Sequence, residues 1–168
     1  MPNNIDFSKL LPVAAMQGDS EDDTALLRGM FEDARAFLTG FDWCRSVVDS
    51  FFGIGIGGVV AVFLFKIVPS REGVDENLWV VVGDLPPAYL VTDDSPTPVA
   101  ALEAYIDEMS AWVEAARRGD SVEELIPVNA PPTPANVDSL EGRLSFLKNR
   151  IIPMYATDYS KPNAEVTE

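Results

Sequence analysis

Two short apolar runs near the middle of the chain constrain the fold more than any other feature. Residues 59–65 read VVAVFLF and residues 78–82 read LWVVV. Both runs are rich in β-branched and aromatic residues and too short to cross a membrane as helices, so we expect buried β-strands. The sequence GDLPPAYLV over residues 83–91 then predicts a turn into a further strand. Together these segments predict an antiparallel meander of three or four strands.

Apolar residues at helical spacing flank the predicted strands on both sides. Ser20 begins a capping pattern that is followed by an amphipathic segment up to Gly40. Thr97 and Thr133 are each followed by proline, a combination typical of a helix start. The helix after Thr97 carries one continuous apolar stripe, formed by Leu102, Tyr105, Ile106, Met109, Trp112, Val113 and Ala116. The expected class is α+β: the meander, an N-terminal helix, and two long C-terminal helices packed on one face of the sheet.

A length of 168 residues fits one domain, which we expect over residues 21–155. Residues 1–20 are predicted to form a flexible arm, because their apolar patch is interrupted by Pro12 and lacks the basic residues of a secretory signal. Residues 156–168 are predicted to form a flexible tail. Over residues 41–52 the pattern leaves both a strand and a short helix open, and it favours an edge strand.

Charge and cysteine content narrow the range of partners and compartments. The chain has 27 acidic and 12 basic residues, for a net charge of −15, which disfavours nucleic acids and anionic membranes. The same acidity serves solubility or attracts a basic protein partner, and the sequence alone does not separate the two. No membrane span is expected, and a single cysteine without a signal peptide points to the cytoplasm.

The chain contains no histidine, which removes several classes of chemistry at once. Ser-His-Asp and Cys-His nucleophile systems, His-containing zinc sites and imidazole acid/base catalysis are all excluded. Catalysis would have to rely on carboxylates, Tyr, Lys, Arg or a metal held by oxygen. No catalytic residue, metal ligand or cofactor is therefore assigned.

Three motifs have both a functional and a structural interpretation. Residues 53–58, GIGIGG, satisfy the nucleotide-binding pattern GxGxxG, but a strand follows them rather than a helix, so a glycine-rich hairpin or bulge is favoured. Cys44 is expected to be a small buried hydrophobe rather than a reactive thiol. Acidic residues in the strand connections favour solvated turns over a Mg²⁺ or Ca²⁺ site; they are Glu72, Asp75, Glu76, Asp84, Asp93 and Asp94.

Asp84, Tyr89 and Trp79 are the candidate ligand-binding residues. Asp84 lies in the Gly-Asp-Leu-Pro-Pro turn, where its carboxylate is expected to brace the turn rather than to catalyse. Trp79 could line a pocket between sheet and helix, although a large aromatic at that position is more often part of the core.

Residues 80–91, together with residues 60–65 and 100–105, resemble uncharacterised bacterial proteins that carry a VVGDLPPAYLV strand-turn-strand. The resemblance implies a bacterial origin and no particular chemistry. The function expected is a non-enzymatic protein-interaction module for a basic partner, in the manner of an immunity or inhibitor protein. The alternative is a small-molecule or divalent-cation-dependent enzyme or binder that uses Asp84, Tyr89 and loop carboxylates.

Overall fold

The computed structural model describes residues 5–156, which form an antiparallel sheet with helices on both faces. The strands lie in sequence order: β1 (Leu11–Pro12), β2 (Cys44–Ile56), β3 (Val60–Pro69), β4 (Asn77–Gly83) and β5 (Ala88–Val91). The helices are α1 (Glu21–Thr39), α2 (Pro98–Arg118) and α3 (Pro134–Phe146), and α3 continues through a π-helical turn (Leu147–Ile151) into α4 (Ile152–Ala156). The α+β class is confirmed, but the sheet has five strands rather than three or four.

The three predicted helix starts are each capped by the expected side chain. The hydroxyl oxygen of Ser20 accepts from the Asp23 backbone N–H at 3.1 Å, and Thr97 and Thr133 cap α2 and α3 in the same way. Gly119 closes α2 in the left-handed conformation, with φ of 78°, which glycine adopts without strain. Local sequence therefore determines where these helices begin.

Side chains of β3 and β4 alternate between two separate hydrophobic cores. Val62, Leu64 and Trp79 belong to the core under α2 and α3, whereas Phe63 and Val80 belong to the core under α1. The two C-terminal helices share one face as expected, and α1 covers the opposite face. Because both faces are buried, the central strands are continuously apolar instead of alternating between apolar and polar residues.

Three irregularities interrupt the pairing of β2 with β3. They fall between Cys44 and Ser46, between Val47 and Asp49, and between Phe52 and Ile54. Each bulge inserts a residue and so moves the following side chains to the other face. The segment from Cys44 onward is a strand, as favoured, and the bulges explain why its sequence does not follow a clean period of two.

Residues 5–20, expected to belong to a flexible arm, contribute to the core. Ile5, Leu10 and Met16 are buried, and β1 adds a fifth strand by pairing Leu11 with Phe52 of β2. Leucine and methionine spaced irregularly around short 3₁₀ turns have no helix or strand period, so the pattern could not reveal this packing.

The last helix passes Pro153, where the sequence predicts its end. Proline cannot donate the usual helical hydrogen bond, and here the wider π-helical turn precedes it and lets the chain continue to Ala156. Residues 1–4 and 157–168, including nearly all of the predicted tail, lie outside the described residues. Within residues 5–156, no helix is both long and apolar enough to span a bilayer.

Candidate functional site at the open edge of the sheet

The three candidate ligand residues do not come together in the structure. Trp79 is fully buried under α2, and its indole N–H donates to the carbonyl oxygen of Ser95 at 2.7 Å. Tyr89 lies on the opposite face of the sheet, half-buried against the α1 core. Asp84 is exposed in the turn between β4 and β5. No single ligand contacts all three side chains in this arrangement.

Asp84 connects the β4–β5 turn to α3 and to the turn between β2 and β3. Arg143 donates from Nε to the backbone carbonyl oxygen of Asp84 at 2.6 Å and from Nη2 to its carboxylate at 3.2 Å. The backbone N–H of Asp84 donates to the carbonyl oxygen of Val59 at 3.0 Å. Gly83 has φ of 149°, and a Cβ at that position would collide with the same carbonyl group of Val59. These contacts explain the Gly-Asp pair structurally.

The acidic residues of the connections separate to the two ends of the sheet. In a meander, Asp84 of the β4–β5 turn lies at the end opposite to Glu72, Asp75 and Glu76 of the β3–β4 connection. Within residues 5–156, no three carboxylate, thiol or imidazole groups gather closely enough to hold a metal ion. The loop carboxylates therefore do not form a common cation site in this part of the chain.

Residues 53–56 of the glycine-rich segment form the bulged end of β2, and Gly57 and Gly58 lie in the turn into β3, as the hairpin or bulge interpretation requires. The Gly57 backbone N–H donates to the Asp23 carboxylate at 2.6 Å, and a Cβ at Gly53 would lie 2.6 Å from the side chain of Pro98. These glycines let α1 and α2 approach β2 closely, which is a structural use of the motif.

Cys44 is buried, and burial raises the pKa of its thiol, which keeps it protonated.

A groove of about 650 Å³ runs beside β5, the last strand of the sheet. One wall carries Phe37, Phe41 and Tyr89, on the side of the sheet that α1 covers. The other wall carries Ile126 and Val128, which pack with the core under α2. The groove therefore straddles the edge of the sheet and offers apolar surface on both sides of β5.

Ring contacts organise the wall on the α1 side. Tyr89 packs edge-on against Phe41 and Trp43, with ring centroids 5.3 and 5.0 Å away, and Phe41 stacks on Trp43 at 4.9 Å. Phe37 completes the group through an edge contact with Phe41 at 5.2 Å. Of the three candidate ligand residues, only Tyr89 lines the groove. Phe37 and Phe41 were not predicted, because only tertiary packing brings the end of α1 beside β5.

The charge in and around the groove is acidic. Glu108 of α2 is the one charged side chain that lines it among the described residues, and it forms no ion pair with any of them. An adjoining hollow of about 430 Å³ shares Phe37 and adds Asp33 and Asp84. Neither hollow is lined by lysine or arginine from residues 5–156. Asp84 is already paired with Arg143, so a cationic group in the groove would be attracted mainly by Glu108 and, in the adjoining hollow, by Asp33.

The fold and the site together define an α+β domain with an open sheet edge beside an apolar, acidic groove. Compared with protein-family models, with curated proteins and with solved structures, the chain matches none. The resemblance to uncharacterised bacterial proteins stays a prediction.

Proposed function

We propose that this chain is a non-enzymatic protein-interaction domain that binds a basic partner protein through the groove beside β5. The observation that carries the proposal is an apolar groove at an unpaired sheet edge whose only charged lining residue, among those described, is Glu108. Exposed apolar grooves rimmed by polar groups are typical of protein-binding sites. The net charge of −15 supports a partner of opposite sign and favours an electrostatically steered encounter.

The second candidate function, a small-molecule or cation-dependent enzyme or binder, has weaker support. The groove volume falls within the range of small-molecule sites, and Tyr89 offers a hydroxyl there. Asp84, the carboxylate proposed for that chemistry, is already engaged by Arg143 and lines the adjoining hollow instead.

An immunity-like or inhibitor-like role in the bacterial cytoplasm is the more specific version of the interaction proposal.

The test is affinity capture from the source cell with the intact chain as bait, compared across two matched variants. Val91 on β5 and Val48 on β2 are both exposed, at 48% and 58%, and lie near opposite edges of the sheet. Val91→Lys adds a positive charge at the groove, and Val48→Lys makes the same change far from it. We expect a basic protein that is retained by the parent and by Val48→Lys, but lost with Val91→Lys.

Association with that purified protein should also depend on salt. The screening length falls from about 10 Å at 0.1 M to about 3 Å at 1 M salt, so steering across the groove is lost. We expect the on-rate to fall at least tenfold over this range. Retention of only a metabolite or a metal ion, or equal loss of the partner with both lysine variants, would contradict the proposal.

A further inference from the structure

We infer that the partner enters the groove as an extended segment that pairs with β5 as a sixth strand, with a lysine or arginine directed at Glu108. This inference rests on the proposed function and deepens it. It specifies the conformation of the bound segment, its side-chain pattern and the carboxylate that selects its charge.

The backbone edge of β5 is open. β5 pairs with β4 on one side, and within residues 5–156 the backbone of Ala88–Val91 makes no hydrogen bond to any other segment. In an antiparallel pair, every second residue directs its N–H and C=O away from the partner strand. Those outward groups on β5 are a template for one more strand.

The two edges of the sheet differ in how well they are protected. The outer side of β2 is only partly covered by β1, but its three bulges and the charges of Arg45 and Asp49 disrupt regular pairing there. β5 pairs with β4 without a register shift, carries no charged residue and leaves Val91 exposed. Edge strands that are not meant to pair are often short or carry bulges, charges or proline. β5 has only four residues and follows Pro86 and Pro87, but the strand itself carries no bulge, charge or proline, so its backbone can still accept a short added strand.

The walls of the groove fit the alternation of a strand. Side chains of an added strand would point in turn to the two faces of the sheet. On one face they would meet the ring surface of Phe37, Phe41 and Tyr89, and on the other they would meet Ile126 and Val128. Four residues of β5 extend about 13 Å, so a segment of about five residues suffices to fill the groove.

Charge selects a foreign basic segment over a second copy of this chain. Pairing β5 with β5 of another copy would bring two Glu108 carboxylates together and would join two chains that each carry −15. A lysine or arginine in the added strand instead pairs with Glu108 on the α2 side of the groove, where its stem lies beside Ile126 and Val128. The occupant is therefore an extended basic segment of a different protein.

Selection of linear nine-residue peptides displayed on phage tests the segment chemistry. The intact chain is the target, and Val91→Lys removes peptides that bind elsewhere. We expect the surviving peptides to alternate apolar with other residues and to be enriched in lysine or arginine. A selection that yields acidic peptides, or none that depends on Val91, would overturn the inference. A Val91-dependent dimer of the parent chain in light scattering would do so as well, since it would identify a second copy as the occupant.

N-methylation of the best peptide tests the strand geometry. Two peptides are compared, one methylated at the odd-numbered backbone amides and one at the even-numbered amides. In one of these two phases the methyl groups block the hydrogen bonds to β5, whereas in the other they lie on the solvent side. We expect one phase to weaken binding at least tenfold and the other to change it less than threefold. Equal effects of the two phases would reject strand addition. The proposed function would not fail with it, because binding of the captured protein in the groove is tested separately by comparing Val91→Lys with Val48→Lys.

A pair of variants on α2 tests the charge assignment. Glu108→Gln removes the carboxylate in the groove, and Glu103→Gln removes an exposed carboxylate of the same helix that does not line it. At 0.1 M salt we expect Glu108→Gln to weaken the basic peptide at least threefold and Glu103→Gln to leave it unchanged. An equal effect of both variants would show that only the overall charge matters and would refute the role of Glu108.

Discussion

Docking of α1 on the second face of the sheet can be tested with two adjacent leucines. Leu27 is fully buried, whereas Leu26 is 53% exposed. Truncating a buried leucine to alanine costs about 2–5 kcal/mol, and the cost depends on how far the surroundings can collapse into the cavity. Leu27 sits over Gly55, where even a Cβ would lie 2.9 Å from its methyl group, so Gly55 has no side chain that can fill the space. We therefore expect Leu27→Ala to cost about 3–5 kcal/mol.

Leu26→Ala is the matched control, because it removes the same atoms from the surface and should change the free energy of unfolding by no more than about 0.5 kcal/mol. Urea unfolding gives both values, and thermal melts should show the Leu27 variant lowered by about 6–20 °C, since 1 kcal/mol shifts the Tm by about 2–4 °C in a chain of this size. Equal losses in the two variants would refute the described contact between α1 and the sheet.

Three further changes test other parts of the structure. Asp84→Asn removes an ion pair with Arg143 whose side chains are 72% and 40% exposed, so unfolding experiments should show a loss of at most about 1 kcal/mol, and calorimetric titration with Mg²⁺ or Ca²⁺ should be unaltered. The Arg117 guanidinium lowers the pKa of Glu141 below its ordinary value of 4.5; the resulting stabilisation is complete above that pH and is lost as the pH falls through the lowered pKa. In Glu141→Gln, the free energy of unfolding measured with urea should therefore fall less steeply as the pH is lowered. An unchanged dependence on acidic pH would contradict the ion pair. Met109 is a fully buried member of the α2 stripe, so Met109→Asp should abolish cooperative thermal unfolding; a normal melt would exclude that packing.

Much of the secondary structure could be predicted because its causes are local. Ser20, Thr97 and Thr133 cap their helices through contacts within three residues, and the Gly-Asp turn needs a residue that tolerates a positive φ at Gly83. The continuous apolar runs of β3 and β4 also indicated burial. They did not show that two separate helical layers cover the two faces, because a run without alternation assigns no side chain to either face.

The bulges of β2 had to come from tertiary structure, because they depend on which β3 residues lie opposite them. β1 likewise depends on β2, which supplies the hydrogen bonds that a two-residue strand cannot form alone.

Part of the candidate site could likewise be predicted from the sequence, and part of it depends on tertiary packing. Tyr89 was singled out from the strand after the turn, and the net charge of −15 follows from composition alone. The groove itself joins the end of α1, strand β5, Glu108 of α2 and the segment around Ile126, which are distant in sequence. Sequence spacing carries no information about such contacts, because the packing of the whole chain determines which helix end lies beside which strand. Local propensity thus determined β3, β4 and the starts of α1, α2 and α3, whereas long-range packing determined β1, the bulges of β2 and which edge of the sheet stays open.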